Sequence, residues 1–228
     1  METLRWAYVQ LLDSALPVGA FSHSFGLETA VQEGTAASLE DVGLYIASML
    51  THAWAPADCA AVKAVYRYGG CGDWARVWAL DERLHASRLA AESREGLLKM
   101  GRRLLALAAE MHPSLDWAPL QSAVRDGLCP GTHPTVHGYA ARLLGASEDE
   151  AAEGYLYTCI TLAVNTALRL MPIGQTKAQA LLASLLRRIP EAWAAVRDEE
   201  PEVFYAAAPA ADGYMMRHEA LYSRLFMS

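Results

Sequence analysis

Cysteine and phenylalanine are scarce in this chain of 228 residues, with four of each, and the thiols at Cys59, Cys71, Cys129 and Cys159 lie far apart. No C-x-x-C pair or tight ligand spacing occurs, which argues against a zinc framework or a disulfide scaffold and leaves free thiols of a reducing compartment. Nucleotide-binding strings are also missing: neither G-x-x-x-x-G-K-[ST] nor G-x-G-x-x-G is present, so no cofactor of that class is expected. The segment Gly19-Ala-Phe-Ser-His-Ser-Phe-Gly26 superficially resembles a serine-hydrolase elbow but lacks G-x-S-x-G, and no enzyme is expected from it. Basic charge is in deficit. A formal net charge of −7 argues against a general nucleic-acid binder, which needs a basic footprint on phosphates.

Long apolar runs are absent as well. The most apolar stretch, Leu156 to Leu168, carries Thr158, Thr161, Asn165 and Thr166 and falls short of the roughly 18 residues a membrane span needs, so it reads as a buried helix. Glu2, Arg5, Gln10 and Asp13 interrupt the opening, where an export signal would need an apolar stretch, and a cytoplasmic location is the expectation.

What the chain does have is apolar residues at helical spacing almost throughout, with 53% hydrophobic and 20% charged residues. Sustained period-two alternation is missing, so the pattern predicts an all-α fold: one helical domain over residues 1–228, a bundle of about ten helices. Trp6, Val9 and Leu12 mark a first helix that stops near Leu16, before Pro17. A second helix is expected to start behind a cap at Ser22 or Ser24. Ser38-Leu-Glu-Asp41 reads as a capped helix start, Pro56 and Asp58 as the opening of another helix, and Asp73 as a further cap. Trp74 to Met111 is helical with possible breaks at Gly96 and Gly101, followed by a loop from Pro113 to Pro119. Helices resume at Pro134 to Leu144, at Ser147 to Leu170 behind the capping box Ser147-Glu-Asp-Glu150, and at Gln175 to Arg188. Beyond Pro190 the pattern thins.

Within residues 83–103, Arg83, Arg88, Arg94, Lys99, Arg102 and Arg103 outnumber Glu92 and Glu95, a local charge of +4. This is either a solvated helix face or a docking strip for an acidic partner. Cys129, His133 and His137 form the best metal candidate, because residues 133 and 137 share a helical face. Against it, Pro134 suits the first helical position, which makes His133 a boundary residue rather than an inward-pointing ligand and leaves a close helix contact at Gly138. No metal site is expected.

Three segments stand out. Ala15-Leu-Pro-Val-Gly-Ala-Phe-Ser-His-Ser-Phe-Gly-Leu-Glu28 crowds Pro17, Gly19, Phe21, Phe25 and Gly26 between two helical patterns. Leu170-Met-Pro-Ile-Gly-Gln-Thr-Lys177 breaks a long helix at Pro172 and Gly174 and delivers Gln175 to the next. The tail Met216-Arg-His-Glu-Ala-Leu-Tyr-Ser-Arg-Leu-Phe-Met-Ser228 mixes aromatics, leucines and arginines, a composition suited either to a groove on another protein or to packing on the chain's own core.

In kind, order and position these three segments resemble the UreF-type urease accessory proteins, with lesser matches at Met100-Gly101, His133-Pro134 to Gly138, and Asn165. The resemblance implies an all-α cytoplasmic protein, usually a homodimer, that is not itself the enzyme. It assembles with an accessory GTPase of the UreG type and a scaffold of the UreD type (also called UreH) on apo-urease, so that nickel reaches the urease centre. It also implies that residues 212–228 form a partner-binding tail, with Arg217, His218, Glu219, Tyr222, Arg224, Leu225 and Phe226 meeting the scaffold. Pro17, Gly19, Phe21, His23, Phe25, Gly26 and Glu28, with Pro172, Gly174 and Gln175, are assigned to assembly around the GTPase. His23, Phe25, Lys177-Ala178 and Met227 depart from residues common in the family. Two alternative roles remain open: a GTPase-activating protein supplying Arg217 or Arg224 to the phosphoryl group, and a nickel-binding chaperone using Cys129, His133 and His137.

Overall fold

The computed structural model describes residues 2–228, with side chains from Arg5 onward. The described residues form helices and connecting turns, with no strand among them. The order is α1 (Glu2–Leu11), a 3₁₀ turn (Ala20–Ser22), α2 (Leu27–Gln32), α3 (Leu39–Met49), a π-helical stretch (Leu50–Asp58), α4 (Cys59–Gly70), α5 (Trp74–Ser87), α6 (Ala91–Met111), α7 (Ala118–Arg125), α8 (His133–Leu143), α9 (Glu148–Leu170), α10 (Gln175–Leu186), α11 (Ile189–Arg197), α12 (Pro209–Arg217) and a 3₁₀ turn (His218–Ala220). None of these helices is long and apolar enough to cross a membrane.

Local signals set several boundaries. At Ser38 and at Ser147 the hydroxyl accepts the N–H three residues on, while Asp41 and Glu150 accept the cap residue's own N–H, so both capping boxes close. Asp73 caps α5 by accepting the Arg76 N–H.

Four expectations need correction. Pro56 does not open a helix: α3, the π-helical stretch and α4 run on without a break, and the wider π turn accommodates a residue that has no N–H to give. Gly96 and Gly101 do not break α6; the interruption is at Arg88–Ala90 instead. Both glycines are contact points, since a Cβ on Gly96 would lie 2.9 Å from the His23 ring and one on Gly101 would lie 2.2 Å from the Gly131 carbonyl oxygen. The serines expected to cap α2 do not do so, because α2 begins behind Gly26 at φ +88° and Ser24 is committed elsewhere. Past Pro190 the chain does not thin at once. That proline sits in the first turn of α11, where its missing N–H costs nothing, and α11 buries Trp193.

Helix α8 lies in the middle of the body, buried from His133 to Ala141 and packed against α4, α6 and α9. The close approach expected at Gly138 is there: a Cβ would lie 3.1 Å from the Val62 Cα. One apolar cluster gathers Val42, Ile46, Leu50, Leu156, Ile160 and Trp193 from α3, the π stretch, α9 and α11. A second gathers Val65, Leu84, Leu104, Leu120 and Val136 from α4 to α8. Between α5 and α8 sits Asp81, fully buried, whose carboxylate accepts the N–H groups of Gly131 and Thr132, the hydroxyls of Thr132 and Thr135, and the Cys129 thiol. A buried carboxylate without a cation needs such a complement of donors, and these fix the loop entering α8.

Candidate functional site

The segments containing Pro17 to Glu28 and Arg217 to Ser228, at opposite ends of the sequence, fold against each other. Gly19 at φ +83° turns the chain into the 3₁₀ turn, and Phe25 and Gly26 follow at φ +48° and +88°. A left-handed phenylalanine costs about 1–2 kcal/mol, so its surroundings must hold it. They do so on two sides: the Tyr45 hydroxyl donates to the Phe25 carbonyl at 2.7 Å, and Gly26 faces Tyr45 and Met215 so closely that a Cβ would lie 2.9 Å from the Tyr45 oxygen. The turn aims the N–H groups of Ser24 and Phe25, and the Ser24 hydroxyl, at the backbone oxygen of Ser228. The Met227 N–H returns a bond to the Ser22 carbonyl at 2.7 Å.

His23 stacks on Phe25 with ring centroids 5.5 Å apart and meets the Ser228 hydroxyl through Nδ1 at 2.8 Å. Burial, and next the charge of Lys99, pulls its pKa down to about 4.

Glu28 is the anchor of the junction. It lies in the first turn of α2 and is almost wholly buried, yet no arginine or lysine pairs with it. Instead it accepts the N–H groups of Leu225 (2.6 Å) and Phe226 (3.1 Å), contacts His218 Nε2 at 2.9 Å, and takes a longer bond from Gln32. The other nitrogen of His218 meets Glu92 of α6 at 2.6 Å, and Glu92 also accepts from Arg224 at 2.6 Å. Two further arginines close the seam. Arg217 makes a two-pronged pair with Glu33, which pulls that carboxyl's pKa down, while Arg169 at the end of α9 donates to the Phe21 carbonyl and lies 4.3 Å over the Phe226 ring.

The residues singled out in the sequence thus divide. His218 and Phe226 of the tail, and His23, Gly26 and Glu28 of the corner, face inward; Arg217, Glu219, Tyr222, Arg224 and Leu225, with Pro17 and Phe21, face outward. Met227 is exposed where its N–H meets Ser22, and Phe21, Tyr222, Leu225 and Met227 each leave more than half of the residue to solvent. Pro172, Gly174 and Gln175 are exposed on the link from α9 to α10, with only local hydrogen bonds, and the link begins directly after the helix end that carries Arg169. Sequence reasoning missed Glu33, Tyr45, Glu92 and Arg169. Their contacts span from twenty to nearly two hundred residues, and each is an ordinary residue of a helical pattern.

In the basic stretch of residues 83–103 most cations have a neighbour within the chain, while Arg83, Lys99, Arg102 and Arg103 stay exposed. Arg88 is paired with Asp58, which also accepts from Tyr155; Arg94 donates to the carbonyls of Arg88 and Leu89; Arg102 and Arg103 donate to those of Pro130 and Pro17; and Arg83 lies over the Phe204 ring. Behind the corner is a cavity of about 140 Å³ bordered by Phe21, Phe25, Met100, Tyr155 and Thr161. The unpartnered Arg88 Nε, Ser93 hydroxyl and Thr161 hydroxyl belong to residues on its wall, and its volume suits the ordered water that buried polar groups take.

Cys129, His133 and His137 do not converge. The Cys129 thiol is spent on Asp81, His137 Nε2 meets the Ala151 carbonyl at 3.1 Å, and the two imidazole centroids are 6.4 Å apart. His133 does lie at the helix boundary, as the first residue of α8, but its side chain points inward and packs on Tyr155, because the loop fixed by Asp81 turns the start of α8 toward α9. Burial brings its pKa down to about 3, with His137 adding to the effect, and burial brings that of His137 to about 4. Among the described residues, no three His, Cys, Asp or Glu side chains gather as a metal site.

Comparison with known proteins gives this geometry its context. The family model described as UreF matches residues 36–186. That span contains the helical body but neither half of the seam. Full-length relatives extend the match to both ends. The Urease accessory protein UreF of Actinobacillus pleuropneumoniae is 35% identical over 226 residues, covering 97% of this chain and 98% of the relative. That of Kocuria rhizophila is 37% identical over 233 residues, covering 96% and 95%, and that of Paenarthrobacter aurescens is 33% identical over 226 residues, covering 99% of each. With two thirds of its length matched by the family model and relatives aligned nearly end to end, this chain belongs to the UreF family of urease accessory proteins.

Proposed function

We propose that this chain is a non-catalytic assembly factor of the cytoplasm. It bridges a UreG-type accessory GTPase and a UreD-type (UreH-type) scaffold on apo-urease while the nickel centre is built, and it works as a homodimer. The observation that carries this reading is the seam itself: buried hydrogen bonds join corner and tail, while Phe21, Tyr222, Leu225 and Met227 face outward together with Arg217 and Arg224. Exposed aromatic and aliphatic side chains beside arginines have the composition of a docking face, and Tyr222 leaves its whole ring to solvent. The scaffold binds this face, and the GTPase binds the neighbouring corner and the Pro172 link. By binding one nucleotide state of the GTPase more tightly, the chain shifts the population of that state without taking part in the chemistry.

The reading as a GTPase activator gains nothing from Arg217 and Arg224, which are each held by a carboxylate, and the nickel-chaperone reading gains nothing from Cys129, His133 and His137, which do not converge and of which Cys129 and His137 are spent on other partners. Co-purification with the UreD-type scaffold tests the proposal. The intact chain forms a stable complex, and deleting residues 215–228 weakens it at least tenfold; undiminished binding by the truncated chain refutes the assignment of the tail.

A further inference from the structure

We propose that Glu28, His218 and Glu92 act together as a latch that positions the last residues of the chain, so that these three side chains set the geometry of the docking face without touching the partner. The inference rests on the proposed role of the tail only for its consequence, not for the latch itself.

The argument starts from donors and acceptors. Both ring nitrogens of His218 face carboxylate oxygens, Nε2 toward Glu28 and Nδ1 toward Glu92, and the ring is wholly buried. With a hydrogen bond at each nitrogen, the ring links a carboxyl group of α2 to one of α6 through the root of the tail. On the α2 side, the remaining capacity of Glu28 is filled by the Leu225 and Phe226 N–H groups; on the α6 side, Glu92 holds Arg224. The tail is therefore gripped at three points, His218, Arg224 and the backbone at Leu225–Phe226, by two carboxylates that share one imidazole. Removing any member leaves the others with buried polar groups facing nothing, so the three should behave as one unit rather than as a sum. Phe226 then falls under Arg169, while Tyr222, Leu225 and Met227 point out. None of the three side chains offers a surface of its own: Glu28 and His218 are inaccessible, and Glu92 is mostly covered.

The test is amide hydrogen exchange on the intact chain. Glu28→Gln keeps the size of the side chain and loses its charge, and exchange at Leu225 and Phe226 is expected to accelerate tenfold or more while amides of α8 and α9 keep their rates. His218→Gln should give a similar acceleration, and the double variant should be no faster than the faster single one. Unchanged exchange at Leu225 and Phe226, or rates that multiply in the double variant, overturns the latch. Because Glu28 is so deeply buried, Glu92→Gln on the accessible side is the second variant, with at least a threefold acceleration at the same amides; no acceleration there also overturns the latch. Scaffold affinity is measured on the same variants. Loosened tail amides with weakened scaffold binding support both readings, whereas loosened amides with unaltered binding support the latch and remove the tail from the scaffold contact.

Discussion

At the centre of the body α6, α8 and α9 meet through small residues and neutral groups. Gly101 lets α6 touch the backbone that enters α8 and Gly138 lets α8 touch α4, His133 and His137 are buried without counter-charge, and Asp81 is satisfied by backbone, hydroxyl and thiol donors. At the seam the same protein uses charge differently: Glu28, Glu92 and Glu33 meet His218, Arg224 and Arg217 in a run of pairs that joins segments almost two hundred residues apart. Both regions bury polar chemistry, but the centre binds helices whose apolar packing already holds them, whereas the seam holds a short segment that has little else to keep it in place. Damage to the first should be global and damage to the second local. That distinction separates the part of the molecule that must be rigid from the part proposed for docking.

The largest effect is expected at Asp81. Asp81→Ala removes the acceptor for five buried donors and leaves a hole between α5 and α8. With unsatisfied buried groups costing about 1–3 kcal/mol each, partly relieved by entering water, a total near 4 kcal/mol follows. For a chain of this size that lowers the melting temperature by roughly 8–16 °C. Calorimetry should show the whole transition moving as one; a variant that melts like the parent would mean that the packing of α8 does not depend on this hub.

Acid titration is expected to act next, at the centre through His133 and His137 and at the seam through His23, whose pKa burial also lowers to about 4. The imidazole pKa values lie at about 3 for His133 and about 4 for His137 in the fold, against 6.5 when unfolded, so below 6.5 the unfolded chain binds more protons than the folded one. Stability is therefore complete above pH 6.5 and is lost as the pH falls from there toward the folded values. At pH 5 each histidine contributes a loss of about 2 kcal/mol. His133→Phe should remove its share, so that the melting temperature falls less between pH 7 and pH 5 than in the parent. An identical fall in both proteins would show that His133 is not buried in its neutral form.

Much of the body was legible in the sequence because its signals are local. The caps at Ser38 and Asp73, the box at Ser147, the helix after Pro134 and the close contact at Gly138 each depend on residues within one turn or on a single missing side chain. Local reading went astray where a residue has two physical uses. Pro56 ends an α-helix but fits a π turn, and Gly96 and Gly101 loosen a helix unless another chain segment needs the space. At the seam, letters marked out Pro17 to Glu28 and Arg217 to Ser228 but not their union. Glu28 in an apolar turn hinted at a buried carboxylate in need of donors; nothing in its neighbourhood pointed to Leu225, Phe226 or His218 as the suppliers.

The smallest effect sharpens the comparison most, because it should appear in one region and not in the other. Arg169 sits at the last turn of α9, where a cation also complements the helix end, and from there it reaches the Phe21 carbonyl and the face of Phe226. Arg169→Ala leaves the body's apolar clusters untouched and takes away one carbonyl bond and one cation–π contact, a loss of about 1 kcal/mol at a partly exposed site. If the seam is energetically separate, that loss appears as roughly fivefold faster exchange at the Phe226 and Met227 amides, while the melting temperature stays within about 2 °C of the parent. Arg169→Lys retains the charge without the planar stack and should recover part of the protection. A global loss of stability matching the local one would mean that seam and body unfold together, and that the tail is as much a part of the core as α8.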